Sequence, residues 1–177
     1  MGGSYPASSK PSWNFAGSGN PRLAAHVVNT WDGRVVFLGG DVGKHVLTGG
    51  PLLARGPEGD PVRRAYRLYG YGKPRPSWDP LAVWYAVYGL GGLFVVGNEG
   101  GRNFVEGDGG NRWVWEGENE GGRSGRQVFL RLAVGNETAA EVVDGLFLEG
   151  AWAAAKEEEW VKHEEKGGCW KCRHEEL

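Results

Sequence analysis

The chain predicts an α/β fold: an open, mainly parallel sheet with flanking helices. Asn20-Pro21 is a helix-start signal, and Leu23, Ala24, Ala25, Val27 and Val28 follow it. Arg34-Val35-Val36-Phe37-Leu38-Gly39 comes next, a short β-branched apolar run closed by glycines, as a buried strand would be. A helix leading into a buried strand is the alternation that builds parallel sheets. Apolar runs at 93–96 and 128–132 add strands, and Asn136 opens another helix.

The remaining elements follow in order. Residues 1–20 are rich in Gly, Ser, Pro and Asn and read as loop. Gly40-Asp41-Val42-Gly43 is a strand-exit loop, with a helical turn expected from Lys44 to Leu47. Asp60-Pro61 repeats the cap-plus-proline start and leads a helix through 62–71, where Tyr66 and Tyr69 share a face. Gly72-Lys73-Pro74-Arg75-Pro76 is a rigid connection into Ser77-Trp78-Asp79-Pro80 and the run Leu81-Ala82-Val83-Trp84-Tyr85-Ala86-Val87-Tyr88. Asp79 reads as the N-cap and Pro80 as the first helical residue. This helix is apolar all round, which predicts burial on every side. Residues 97–127 are glycine-rich and charged around Asn111-Arg112-Trp113-Val114-Trp115, and read as short antiparallel strands or a hairpin, with a flexible loop near 117–126. The helix from Asn136 runs through Leu148 with Ala140, Val143, Phe147 and Leu148 inward, and the alanines and charges of 151–166 extend or follow it.

Composition narrows the class. The 177 residues suit one domain, and 40% hydrophobic residues with nine Trp supply a sizeable core. The 32 glycines call for many turns. A net charge of −2 offers no basic field for nucleic acid. No apolar run approaches the roughly 20 residues of a membrane span. The first residues have neither the charged start nor the apolar core of a secretory signal, so the compartment stays open, cytoplasmic by default. Cys169 and Cys172, both near the C-terminus, leave the body of the fold without disulfides.

Several constellations invite a chemical reading. Ser12-Trp13-Asn14-Phe15 reads first as a loop pinned by aromatics, and second as a ligand wall in which Asn14 offers a donor and an acceptor to a sugar hydroxyl. Leu38 to His45 has glycines and a Lys after a strand but lacks Walker and dinucleotide spacing, so phosphate binding is not expected and His45 reads as structural. Cys169-Trp170-Lys171-Cys172 with His174 and His163 lacks a second ligand pair, and a structural zinc is not expected. Asn136-Glu137-Thr138 matches a glycosylation acceptor and equally a helix start, and the cap is preferred.

Taken together, Met1-Gly2-Gly3-Ser4-Tyr5-Pro6, Trp13-Asn14-Phe15, Asn20-Pro21 with Ala24-Ala25, Val35-Val36-Phe37-Leu38-Gly39, Asp41-Val42, Asp60-Pro61-Val62-Arg63, Tyr71-Gly72-Lys73-Pro74-Arg75-Pro76-Ser77-Trp78-Asp79-Pro80-Leu81 and Asn111-Arg112-Trp113-Val114-Trp115 give a pattern. In order and spacing it resembles the C-terminal half of the inosine/uridine-preferring nucleoside hydrolase family, in a fungal-like variety. The resemblance spans residues 1–152 as a partial domain and leaves 153–177 as a charged helical or disordered tail. It implies an open α/β sheet with its site beyond the carboxyl ends of the strands, and hydrolysis of the N-glycosidic bond of a purine-type nucleoside to ribose and base. It also implies a Ca²⁺ that holds the attacking water and ribose hydroxyls.

Residue by residue, the resemblance makes Asp79 the late metal-binding and ribose-contacting aspartate. Asn14 becomes the ribose-binding asparagine, and Trp13 the aromatic position beside it. Trp78 stands where many members carry the histidine that helps the base leave, and an indole there can stack on a purine. Ser12 replaces a glutamate that contacts the ribose 5′-hydroxyl. The family's N-terminal aspartate cluster, with most of the calcium ligands and the general base, has no counterpart here. The expectation is therefore a fold lacking its N-terminal strands, Ca²⁺ not retained by this chain alone, and little or no activity in isolation. The alternative is a non-catalytic nucleoside-binding or interaction module that pairs its open edge with another chain. Expected partners are a nucleoside, no nucleic acid and no membrane, with a homo-oligomer left open.

Overall fold

The structure, a computed structural model, describes residues 1–8, 10–17, 19–115 and 126–165. In chain order the elements are β1 (Ala7–Ser8), α1 (Trp13–Ala16), α2 (Pro21–Thr30), β2 (Val35–Phe37), α3 (Gly40–Gly43), β3 (Leu47–Thr48), α4 (Gly50–Arg55) and α5 (Pro61–Leu68). They continue with β4 (Arg75–Pro76), α6 (Trp78–Tyr88), β5 (Phe94–Val96), β6 (Arg102–Val105), β7 (Asn111–Val114), β8 (Gln127–Leu132) and α7 (Asn136–Glu165). The chain divides into two compact units, one of residues 1–47 and 76–140, the other of 48–75 and the chain from Glu141 onward.

The class is mixed α/β. The strands form sheets ordered β1-β7-β6 and β2-β8-β5, with a β3-β4 pair, and none closes into a barrel. β2 runs parallel to β8, with Val36 opposite Val128. β5 is antiparallel to β8, with Val95 opposite Arg131, and β6 with β7 and β1 with β7 are antiparallel too. The expected mainly parallel sheet is thus a mixed one. The β6-β7 hairpin is the one expected of the glycine-rich stretch 97–127, and the departure is β5, which lies antiparallel to β8 where a parallel neighbour would need a long crossover. The expected loop near 117–126 falls almost wholly on 116–125, outside the described residues, as do Cys169, Cys172 and His174.

In the first unit the N-terminal stretch is core rather than plain loop. Tyr5 stacks on Phe129 at 5.2 Å between ring centroids, and Trp113 meets Phe129 edge-on at 5.0 Å. Phe37 completes this cluster. A second cluster joins Phe15 to Ala25 of α2 and Val105 of β6. Asn29 ties α2 to β6 twice, donating from Nδ2 to the Val105 carbonyl at 2.8 Å and accepting the Val105 amide at 3.0 Å. Beneath the first residues runs a chain of buried amides. Asn111 accepts the Ser4 amide at 3.0 Å and returns a bond to the Ser4 carbonyl at 2.9 Å. It also donates to Asn103 Oδ1, and Asn103 Nδ2 donates to the Tyr5 hydroxyl, both at 3.2 Å. Gln127 accepts the Asn103 amide at 2.9 Å. Gly3 suits this spot, since at φ 75 a Cβ would stand 2.8 Å from Asn111 Oδ1.

Helix α6 departs from expectation twice. It begins at Trp78 with Ser77 as N-cap, so Asp79 lies inside the first turn and Pro80 behind it. The start is fixed by Ser77, fully buried, whose amide reaches the Gly43 carbonyl at 3.1 Å and the Val46 carbonyl at 2.9 Å while its carbonyl accepts from Leu81. Nor is the helix buried all round. Leu81 and Trp84 face inward, with Trp84 against Phe94 at 5.7 Å, but Val83 and Val87 are 63% and 67% exposed. Uniform apolarity reports what a helix can bury, not how many neighbours it has. Gly43 lets α3 reach this helix start, because a Cβ there would lie 2.7 Å from the Trp78 backbone.

In the second unit, Asp60 caps α5 as expected, accepting the Arg63 amide at 2.6 Å. Residues 44–46 form a turn into β3, the helical turn having come earlier as α3. The helix expected to Leu148 extends to Glu165, with Val143, Asp144 and Ala151 buried. Asp144 accepts the Gly49 amide at 2.6 Å, and Tyr66 packs edge-on against Phe147.

Candidate functional site

The first unit carries a cleft of about 550 Å³ whose lining includes Ser12, Trp13, Asn14, Asp41, Lys44 and Trp78. Sequence distance hides this grouping. Ser12 to Asn14 lead into α1, Asp41 sits in α3 immediately beyond the carboxyl end of β2, and Trp78 opens α6. A site at the carboxyl end of a strand is where open α/β sheets hold ligands.

Local bonds build each wall. Ser12 Oγ accepts the Gly3 amide at 3.0 Å, and the Ser12 amide donates to the Gly109 carbonyl at 3.0 Å. This hydroxyl is tied into the scaffold but keeps its own proton to donate. Trp13 is 80% exposed. Its indole lies over Gly17, where a Cβ would come within 2.7 Å of the ring. Asn14 donates from Nδ2 to the Met1 carbonyl at 2.9 Å and approaches Met1 Sδ at 3.3 Å. Its carbonyl oxygen remains as the acceptor for a hydroxyl. Ser4, itself in the lining, is fixed by Asn111, which accepts its amide and donates to its carbonyl.

Trp78 is half-buried, and its Nε1 donates to the Gly40 carbonyl at 2.7 Å. That N–H is the only donor an indole side chain has. Trp78 can therefore offer a ring face to a base but no proton to a departing one. Asp79 is exposed and absent from the cleft lining. His45 is exposed and outside the lining as well.

Calcium takes about six to eight oxygens. Among the described residues no three His, Cys, Asp or Glu side chains come together as a metal group. Asp79, alone on an exposed first helical turn, does not fit the ion, and no catalytic step is derived through it.

Three charged lining residues escaped the sequence reading as site residues: Lys10, Asp41 and Lys44. Asp41 and Lys44 belong to the strand-exit loop set aside for lack of phosphate-loop spacing, so their position after a strand was the available signal. Asp41 also acts on its surroundings. Burial, and secondarily the Asp41 charge, hold the Tyr5 hydroxyl well above the usual tyrosine value of 10.0, so it stays a donor to the Gly2 carbonyl at 3.1 Å.

No helix among the described residues is long and apolar enough to cross a membrane. Comparison with protein-family models, with curated proteins and with solved structures finds no match, so the site rests on its own geometry.

Proposed function

We propose that the chain is a nucleoside hydrolase-like protein whose cleft binds the ribose and base of a purine-type nucleoside. Hydrolysis of the N-glycosidic bond belongs to this reading as the activity of the family it resembles. Among the described residues no calcium set comes together, and in this reading the isolated chain binds without turning over. One observation carries the reading: the Trp13-Asn14 pair and Trp78, picked out in two distant segments of the sequence, line the same cleft. The indole faces suit a planar base, and Asn14 with Ser12 suits sugar hydroxyls.

Calorimetric titration of inosine into the purified chain tests this. Saturable binding is expected, weakened about tenfold in Trp13→Ala, the loss typical of a stacked base. Absence of binding up to millimolar inosine would sink the proposal. Release of hypoxanthine on adding Ca²⁺ would overturn the statement that the chain does not turn over.

A second reading, a non-catalytic interaction module, is favoured by the exposed Val83 and Val87 of α6 and by Val95 and Val96 on the edge strand β5. An open strand edge beside apolar residues is a surface for another chain. Sedimentation would separate the readings, a stable complex favouring the module and a monomer the first.

A further inference from the structure

The cleft contains charges that recognition of a neutral nucleoside leaves unused. Lys10, from the first loop, and Lys44, just after α3, both line it, against a single carboxylate among the described lining residues, Asp41. The whole chain is acidic at −2, so two cations converging on one concavity run against its average. Both lysines are exposed, and neither forms an ion pair with a described residue. Ammonium groups and hydroxyl donors in a concave site favour a phosphate through charge-assisted hydrogen bonds. Ser12 adds such a hydroxyl, since its oxygen accepts from Gly3 and its proton is left to donate. In the same lining Trp13 presents a ring for stacking, so the cavity pairs an aromatic platform with an anion-seeking rim. Its volume of about 550 Å³ is in the range of small-molecule sites, about 300 to 1,000 Å³.

We infer that the preferred ligand of this cleft is a nucleoside monophosphate rather than a nucleoside, with Lys10, Lys44 and Ser12 receiving the phosphate. The inference rests on the nucleoside reading above and narrows it.

Calorimetry with three probes, inosine, inosine 5′-monophosphate and ribose 5-phosphate, tests it at low and at physiological salt. The monophosphate is expected to bind about tenfold more tightly than inosine at low salt, a gap that narrows as salt screens the lysines. Ribose 5-phosphate, lacking the base, binds more weakly than the monophosphate. In Lys10→Ala/Lys44→Ala the preference for the monophosphate disappears, and in Lys10→Arg/Lys44→Arg it persists. Exposed lysines contribute little to folding, so these variants remain interpretable. Inosine binding as well as its monophosphate would overturn the inference and leave the nucleoside reading standing. A preference that survives the double alanine variant would also overturn it. Failure of both inosine and its monophosphate to bind would remove both readings.

Discussion

The first compact unit buries neutral amides, whereas the second buries a carboxylate and a guanidinium. Beneath the cleft, Asn111, Asn103 and Gln127 pass hydrogen bonds from Ser4 to Tyr5 and the β6 backbone, and each partner is neutral. In the other unit, Asp144 receives the Gly49 amide, while Arg63 sends both Nε and Nη2 to the Leu53 carbonyl. Arg63 Nη1 is buried without a hydrogen-bond partner among the described residues. Neutral networks can satisfy themselves completely, and their members do not titrate near neutral pH. Buried charges always retain a desolvation cost. The neutral network of the first unit is therefore indifferent to pH through the neutral range, whereas buried Asp144 of the other unit makes stability fall as pH rises from acid.

The difference is open to attack at three points. The largest effect is expected from Asn103→Leu, which strips one partner each from Asn111 and Tyr5 at a site with no solvent access. A loss of about 2 kcal/mol is expected, because Asn111 and Tyr5 each give up one buried hydrogen bond while keeping those to the Ser4 and Gly2 carbonyls, read by denaturant unfolding. Arg63→Met should cost only about 1 kcal/mol, because the lost bonds to Leu53 are offset by removal of a buried, unpartnered nitrogen. If the arginine variant proved the more damaging, the contrast would collapse. Asp144→Asn gives the smallest change and the sharpest test. Burial raises the Asp144 carboxyl above its usual 3.8, against the opposing Gly49 bond and Arg55 charge. The folded state then holds its proton more tightly than the unfolded chain. Its stabilising contribution is full below that usual value and declines as pH rises through the raised one. Relative to the parent, Asn should leave stability nearly unchanged in acid and raise it slightly at neutral pH. Parallel pH profiles for the two proteins would contradict this account.

What could be read in advance divides along physical lines. Helix starts with strong local chemistry were legible: Asp60-Pro61 and Asn20-Pro21 open α5 and α2. The strands around Phe37, Phe94 and Phe129 were visible as short apolar runs. Tertiary decisions were not. Asp79-Pro80 carries the same local signal as Asp60-Pro61, yet the carbonyls of Gly43 and Val46 engage Ser77 and start the helix earlier. The mainly parallel sheet was inferred from helix–strand alternation, which cannot see that β5 lies antiparallel beside β8, whereas the antiparallel β6-β7 pair was legible in the glycine-rich stretch around Asn111-Arg112-Trp113. In the cleft, Trp13, Asn14 and Trp78 were found by residue type and by resemblance. Lys10 and Lys44 were not, because a lysine on a loop acquires meaning only when another element brings a second one to the same concavity.

Trp13, lying open over Gly17, has an optical consequence. Nine tryptophans contribute to this protein's emission. An indole in water emits to the red of one in a dry core, and Trp13 at 80% exposure weights the red edge of the spectrum, whereas buried Trp113 emits at the blue end. A ring stacked on Trp13 would quench its share of that red edge, which Trp31, Trp115 and Trp152 also supply, so the cleft reports on itself through a partial blue shift that Trp13→Phe would abolish.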